Sequence, residues 1–381
     1  MVDAIVVGLG AMGSATAYQL AARGASVVGI DRFEPPHPYG STYGETRITR
    51  LAVGEGREYV PLVARSHELW ARIEAETATH LFTTTGGLVI GHPSSPFLAR
   101  TRALAAQFGI AHENIPAGEL RERFPMFVLA DDLEGYHERD AGYVRPEAAV
   151  RAQLALAARH GADLRLGETV TGWRADSHGV SVTTDSDVLR AGQLILCAGP
   201  WLPELLDGDE DLFAVYRQTQ FWFAIRDGYE QLSRMPIFVW DFGEMRDAFV
   251  HLHGFYGFPA VDGPDGGLKV ATERYEQTTV PDGRAHPAMP FDTEAMYRDY
   301  IATRIPWLGP DPVRTRTCLY TSTPDSRFII DRHPGHANVL VVSACSGHGF
   351  KHSAAIGEAA AQWVTDGAPG IDLGAFGWPA R

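Results

Sequence analysis

Ala4-Ile5-Val6-Val7-Gly8-Leu9-Gly10-Ala11-Met12-Gly13 decides the fold of this chain. The first four residues form a short β-branched run, three glycines follow, and Ser14 to Arg23 is an Ala-rich helical stretch. Strand, tight turn and helix in that order make a phosphate site. Gly8 allows the turn, Gly10 lets backbone approach a pyrophosphate, Gly13 lets helix and strand pack closely, and the phosphate charge meets the positive end of the helix. A second strand, Ser26 to Ile30, delivers Asp31. An acid about 20 residues beyond the turn accepts hydrogen bonds from a ribose diol, which favours NAD or FAD over NADP.

Length and composition set the outer limits. The chain has 381 residues, 45% of them hydrophobic, enough for a large core and for two domains. Its formal charge of −14, from 47 acids against 33 bases with no basic cluster, argues against a nucleic-acid surface. No run of about 20 apolar residues is present to span a bilayer, and the first residues lead straight into a strand, so a cytoplasmic protein without a membrane partner is expected. Cys197, Cys318 and Cys345 have neither metal-type spacing nor a secreted framework, so free or specialised thiols and no metal site are expected.

Beyond the opening unit the organisation alternates. Gly86 to Gly91 reads as a strand leading into a helix at Phe97 to Phe108, and a Pro- and acid-rich passage runs from Pro116 to Pro146. Glu147 to His160 reads as a helix, Asp163 to Leu166 as a strand, and Val180 to Val188 as a hairpin. The apolar strand Gln193 to Leu196 ends in Ala198-Gly199-Pro200-Trp201, which either brings a close-packed glycine to the ligand edge of a parallel sheet or is an ordinary buried turn. Aromatic density then rises through Phe221-Trp222-Phe223, Trp240, Phe242, Phe249 and Phe255 to Pro259, suggesting an antiparallel sheet as one pocket wall. Val339 to Val342 reads as a last buried strand, and Ser353 to Val364 as a helix closed by Gly367.

Several ordered stretches carry a resemblance: Ser41 to Arg50, Gly54 to Leu62, Phe255-Tyr256-Gly257-Phe258-Pro259, Cys318-Leu319-Tyr320-Thr321, Phe328 to Asp331, and Ser346-Gly347-His348-Gly349-Phe350-Lys351. Together they resemble the monomeric sarcosine oxidase and N-methyltryptophan oxidase family over nearly the whole chain. The resemblance identifies the dinucleotide as FAD. It implies an α/β fold with a Rossmann-type FAD-binding domain from residues 1–85, 146–216 and 313–381, and an antiparallel-sheet substrate domain from 86–145 and 217–312. Besides the glycines and Asp31, it implies that Met12, Arg32, Ser41, Thr46, Arg47, Val170, Ala198, Gly199, Trp201, Gly347, Gly349 and Lys351 bind the cofactor.

The chemical residues have two readings each. At the strand period Cys318, Tyr320 and Ser322 share a face. Taken alone, a free cysteine is a small buried hydrophobe; the resemblance instead implies a thioether from Cys318 to the flavin 8-methyl carbon. Arg47 and Arg50 are three apart, close enough in a turn or helix to project toward one region. The resemblance implies that Arg50 and Lys351 hold a substrate carboxylate and that Arg47 lies nearer the flavin. A planar guanidinium offers a carboxylate two charge-assisted bonds. Lys269 on its own reads as an edge-strand lysine; by resemblance it lies over the flavin, where a fixed cation stabilises nascent superoxide. His348 and its glycines approach a helix N-terminus that would stabilise a reduced ring. Tyr256 and Tyr320 would flank the substrate.

The implied activity is FAD-dependent oxidation, by O2, of the C–N bond of a secondary amino acid. The products are an imine, then aldehyde and amino acid, with hydrogen peroxide. A glycated amino acid oxidase and a dehydrogenase with another acceptor remain as alternatives, in a monomer or small homo-oligomer. Two positions depart from the family pattern. Glu273 stands where a histidine four residues after the lysine is usual, on the strand face of Lys269 and Ala271, and Tyr43 replaces a histidine. An added carboxylate repels small acidic substrates and favours an amine or polyhydroxyl tail.

Overall fold

The structure, a computed structural model, describes residues 1–206, 210–243, 253–281 and 288–379. Phe249, counted above among the pocket aromatics, lies outside the described residues. The opening stretch folds as read: strand Val2–Val7, then helix Ala11–Ala22, then strand Val27–Asp31. Val2–Val7 pairs in parallel with both Val27–Asp31 and Val188–Leu196, and the latter pairs in parallel with His336–Ser343. Asp163–Leu166 and the antiparallel strands Val170–Asp176, Gly179–Thr184 and Ile329–His333 complete an eight-stranded sheet. Period-2 alternation builds both of its faces. Ala4 and Val6 join the core formed with helices Val60–Thr77, Pro146–Arg159 and Ser353–Thr365, whereas Ile5 and Val7 join Val180, Val182, Leu194 and Leu196 on the opposite side.

The aromatic-rich middle of the chain forms a second eight-stranded sheet, in the order Leu308–Ser322, Ala214–Ile225, Leu268–Thr272, Gly254–Gly257, Ile237–Asp241, Gly87–Gly91, Glu134–Glu138, His112–Pro116. It is antiparallel except where Ile237–Asp241 runs parallel to Gly87–Gly91. Phe221, Phe223, Phe255, Leu268 and Val270 point to one side, into the main core of this half. Their neighbours Gln220, Trp222, Tyr256, Lys269 and Ala271 point to the other. Three features add to the sequence reading. The boundaries expected at 216/217 and 312/313 fall inside strands 214–225 and 308–322, which stay paired with each other along their length. Lys269 is on an interior strand, between 214–225 and 254–257, rather than an edge. Arg47–Thr49 is a strand, not a helical turn, and pairs with Gly142–Val144 in a three-stranded sheet with Phe82–Thr84. β-Branched Ile48 and Thr49 favour that extended state.

Candidate active site

The carboxyl ends of the parallel strands open into one long cavity, where Val7, Ile30, Asp31, Cys197, Ala198, Val342 and Ser343 line its wall. This is where an open parallel sheet places its ligand. Asp31 is fixed at the rim: its carboxylate accepts the N–H groups of Leu9 at 2.7 Å and Phe33 at 2.9 Å. Burial raises its pKa, against the pull of those two bonds. Arg32 lies 5.4 Å over the Trp201 ring, beside Glu204, and the Trp201 indole donates to the Pro281 carbonyl at 2.9 Å. Helix 11–22 carries no acid in its first turn and no side-chain cap. A Cβ on Gly10 would meet only the Thr42 hydroxyl oxygen, at 3.5 Å, whereas one on Gly13 would collide with the Gly8 carbonyl. One glycine leaves room for a ligand; the other lets helix and strand touch.

The same cavity runs on to the polar face of the second sheet. Tyr256 and Tyr320 face each other with hydroxyls 3.5 Å apart, and burial pushes Tyr256 up to about 12 and Tyr320 well above its usual value. Glu273 lines this end as well, accepting the Tyr275 hydroxyl at 3.3 Å. Arg47 donates to the carbonyls of Thr46 and Ser41 at 3.0 Å and to that of Tyr43. Burial works against its charge, but Cys318, Tyr256, Tyr320 and Glu147 outweigh burial and raise its pKa.

Two buried cations meet at one carboxylate. Glu55 accepts Arg50 Nη2 at 2.9 Å and Lys351 Nζ at 3.3 Å, and Lys351 also donates to the His348 carbonyl at 2.8 Å. Burial opposes ionisation of Glu55, yet Arg50 and Lys351 hold it well below the usual carboxylate range. Burial lowers Lys351, and Glu55 opposes that shift. Arg50 is further placed by the Ala52 carbonyl and by the Phe97 ring, 5.2 Å from its guanidinium carbon.

Of the sequence candidates, Gly8, Gly10, Met12, Asp31, Arg32, Ser41, Arg47, Arg50, Val170, Ala198, Gly199, Trp201, Tyr256, Glu273, Tyr320, Gly347, His348, Gly349 and Lys351 all line this cavity. Gly13, Thr46, Lys269 and Cys318 lie outside its lining. Lys269 is turned to the loop beside it, donating to Gly44 O at 2.6 Å, Thr46 O at 2.8 Å and Thr46 Oγ1 at 3.1 Å, because three oxygens match the three protons of an ammonium. Burial and then Arg47 nevertheless pull its pKa well below normal. Cys318 is buried on the same sheet face as Tyr320, its sulfur 3.1 Å from Gln220 Nε2. The His348 ring is packed on Phe328 and bonded to Ser326 O at 3.3 Å, and burial takes it down to about 3, so it is neutral.

The sequence reading assigned no role to Glu55, Glu147 or Gln220. Glu55 stood in a quoted motif, but its partner Lys351 is 296 residues away. Glu147 accepts the N–H groups of Gly44 at 2.7 Å and Glu45 at 2.9 Å, clamping the loop that Lys269 holds from the other side. Gln220 is the one polar residue in Gln220-Phe221-Trp222-Phe223, and that interruption was its only signal.

The sequence family described as FAD dependent oxidoreductase matches residues 3–363. The chain belongs to that family. It is 39% identical to the monomeric sarcosine oxidase of Streptomyces avermitilis, over 98% of this chain and 96% of that protein. It is 33% identical to the N-methyl-L-tryptophan oxidase of Yersinia pestis, over 98% of both. Among solved structures, a Tyr258Phe mutant of NikD, described as an unusual amino acid oxidase essential for nikkomycin biosynthesis, is similar at a TM-score of 0.84 and 26% identity, covering 99% of this chain and 96% of that one. The protein is therefore an FAD-dependent oxidoreductase, and the open space at Gly10, the uncapped acid-free helix start and the fixed Asp31 carboxylate suit the dinucleotide. Among the described residues no His, Cys, Asp and Glu group is placed to hold a metal, and no helix is long and apolar enough to cross a membrane.

Proposed function

We propose that this protein oxidises the C–N bond of a secondary amino acid with O2 as acceptor, and that Cys318 tethers its FAD through a thioether. The observation that carries the reading is the pair of buried cations, Arg50 and Lys351, converging on the Glu55 carboxylate at the end of a dinucleotide cavity. A carboxylate is what those cations are arranged to bind, and a substrate carboxylate competes with Glu55 for them. Gly8, Gly10, Met12, Asp31, Arg32, Val170, Ala198, Gly199 and Trp201 would hold the adenosine and pyrophosphate end, with Ser41, Thr46, Arg47, Gly347 and Gly349 at the ring end. Bound FAD supplies the two-electron acceptor that no side chain can provide.

The chain's own residues do the rest. Arg50 and Lys351 orient the amino acid, and Tyr256 and Tyr320, kept protonated by burial, flank it as neutral hydrogen-bonding walls. Neutral His348 adds no charge to this end. Lys269 would assist oxygen through the field of an ammonium that holds the Gly44–Thr46 loop, its three protons being donated to that loop.

Glu273 supports a substrate larger than sarcosine. It brings a carboxylate to the lining of the same cavity, which suits an amine or the hydroxyls of a glycated amino acid. The test is anaerobic reduction of the flavin absorbance by a panel of N-methyl, basic and glycated amino acids, followed by acid precipitation to ask whether the yellow colour stays with the polypeptide. Sarcosine as best substrate by a wide margin contradicts the Glu273 reading; no reduction by any amino acid overturns the proposed activity. A cytoplasmic location fits three cysteines that are all unpaired.

A further inference from the structure

We infer that Gln220 is the positioning residue for covalent attachment of the cofactor: its carboxamide holds the Cys318 sulfur as a hydrogen-bond acceptor and favours the thiolate that makes the bond. This rests on the thioether assigned to Cys318 above. Strands 214–225 and 308–322 pair so that Gln218 lies opposite Cys318 and Gln220 opposite Arg316, which sets Gln220 and Cys318 as diagonal neighbours on one face. Gln220 Nε2 is 3.1 Å from Cys318 Sγ and 3.4 Å from the Tyr43 carbonyl oxygen. A carbonyl can only accept, so the nitrogen, with its two hydrogens, must face this side, and the second hydrogen points at sulfur.

The other half of the amide makes this placement costly. Gln220 is 2% exposed, and its Oε1 is buried with no partner among the described residues. It packs against Gly44, where any Cβ would collide with it and where φ is +120°. An apolar residue would fill this site without leaving a buried carbonyl unpaired. The arrangement is explained if the N–H directed at sulfur is what the site requires. Arg47 and Lys269 hold the same loop that Gln220 touches: Arg47 and Gln220 both donate to the Tyr43 carbonyl, and Lys269 donates to that of Gly44, against which the Gln220 amide packs. A thiolate, not a thiol, is the nucleophile.

The step balances. The Cys318 thiol loses its proton, sulfur forms a bond to the flavin 8-methyl carbon, and that carbon gives up one hydrogen as a proton. The two electrons left on the ring system pass to O2, which takes up two protons and leaves as hydrogen peroxide.

The experiment produces the full chain under riboflavin starvation, adds FAD, and follows tethering by flavin fluorescence of the denatured polypeptide across pH. Gln220→Met keeps length and packing but has no donor; Gln220→Glu keeps shape and places an acceptor against sulfur. Both are expected to bind FAD, read from native absorbance, and to tether it about ten- to hundredfold more slowly, the size of one lost charge-assisted hydrogen bond. The pH midpoint of tethering should move upward, further in Gln220→Glu. Wild-type tethering rate and midpoint in either variant that binds FAD overturns the role of Gln220. A wild-type protein that tethers no flavin removes the Cys318 thioether itself, a separate failure.

Discussion

Replacing Glu55 with glutamine separates what this carboxylate does for the fold from what it does to ligands. In the wild type it compensates two buried cations, at 2.9 Å and 3.3 Å. Removing one partner from a buried ion pair costs about 3–5 kcal/mol, because a charge is left without compensation. At about 2.1 cal/mol/K of unfolding entropy per residue, a chain of 381 residues loses about 4–6 °C in Tm for that change. A ligand carboxylate then meets Arg50 and Lys351 with no competitor, so its affinity rises by about tenfold, or about 1.4 kcal/mol. The assay is thermal unfolding with and without a small carboxylate that has no oxidisable amine, together with titration of the flavin spectrum. Glu55→Gln should melt lower than wild type without ligand and gain more from ligand. A variant with unchanged Tm and weaker carboxylate binding would show that the cations are not held for the ligand by Glu55.

Three other outcomes are expected. Lys269→Met should slow reoxidation of the reduced enzyme by about a hundredfold while changing reduction by substrate much less, as stopped-flow traces of the two half-reactions would reveal; equal loss in both halves refutes a role in the oxygen step. Gly13→Ala drives a Cβ into the Gly8 carbonyl and should lower the flavin-to-protein absorbance ratio of purified protein at least tenfold, an unchanged ratio contradicting the close contact. Burial takes His67, bonded to Thr49 Oγ1 at 2.7 Å, down to about 4, whereas the unfolded chain protonates it below about 6.5. Its contribution is therefore full above pH 6.5 and is lost as pH falls toward 4, about 2 kcal/mol by pH 5. His67→Gln should flatten the pH dependence of urea unfolding between pH 7.5 and 5, and identical slopes would sink the assignment.

Local signals were read well where neighbours in sequence are neighbours in space. The strand–glycine–helix opening, the Asp163–Leu166 strand and the helix at Phe97 to Phe108 need only short-range patterning, and their hydrogen bonds are local or between adjacent strands. The turn or helix offered for the Arg47 and Arg50 spacing does not show the strand Arg47–Thr49, because three residues are too few to show a period. The boundaries expected at 216/217 and 312/313 fall within strands 214–225 and 308–322, whose pairing joins segments about a hundred residues apart and leaves no local pattern.

The site divides in the same way. The resemblance nominated Arg50, Lys351, Tyr256, Tyr320 and Cys318, and Glu273 stood out as a departure from its pattern; residue type alone leaves Cys318 a small buried thiol. Their partners could not be named in advance. Glu55 bridging Arg50 and Lys351, Lys269 turned to Gly44 and Thr46, and Gln220 directed at Cys318 all depend on distances across strands and loops from remote segments. Hydrogen bonding and ion pairing decay within a few ångströms, so sequence determined which groups this protein owns and which dinucleotide turn it makes. Only packing in three dimensions decided which of those groups face the cavity, which are tied to backbone, and which share a charge.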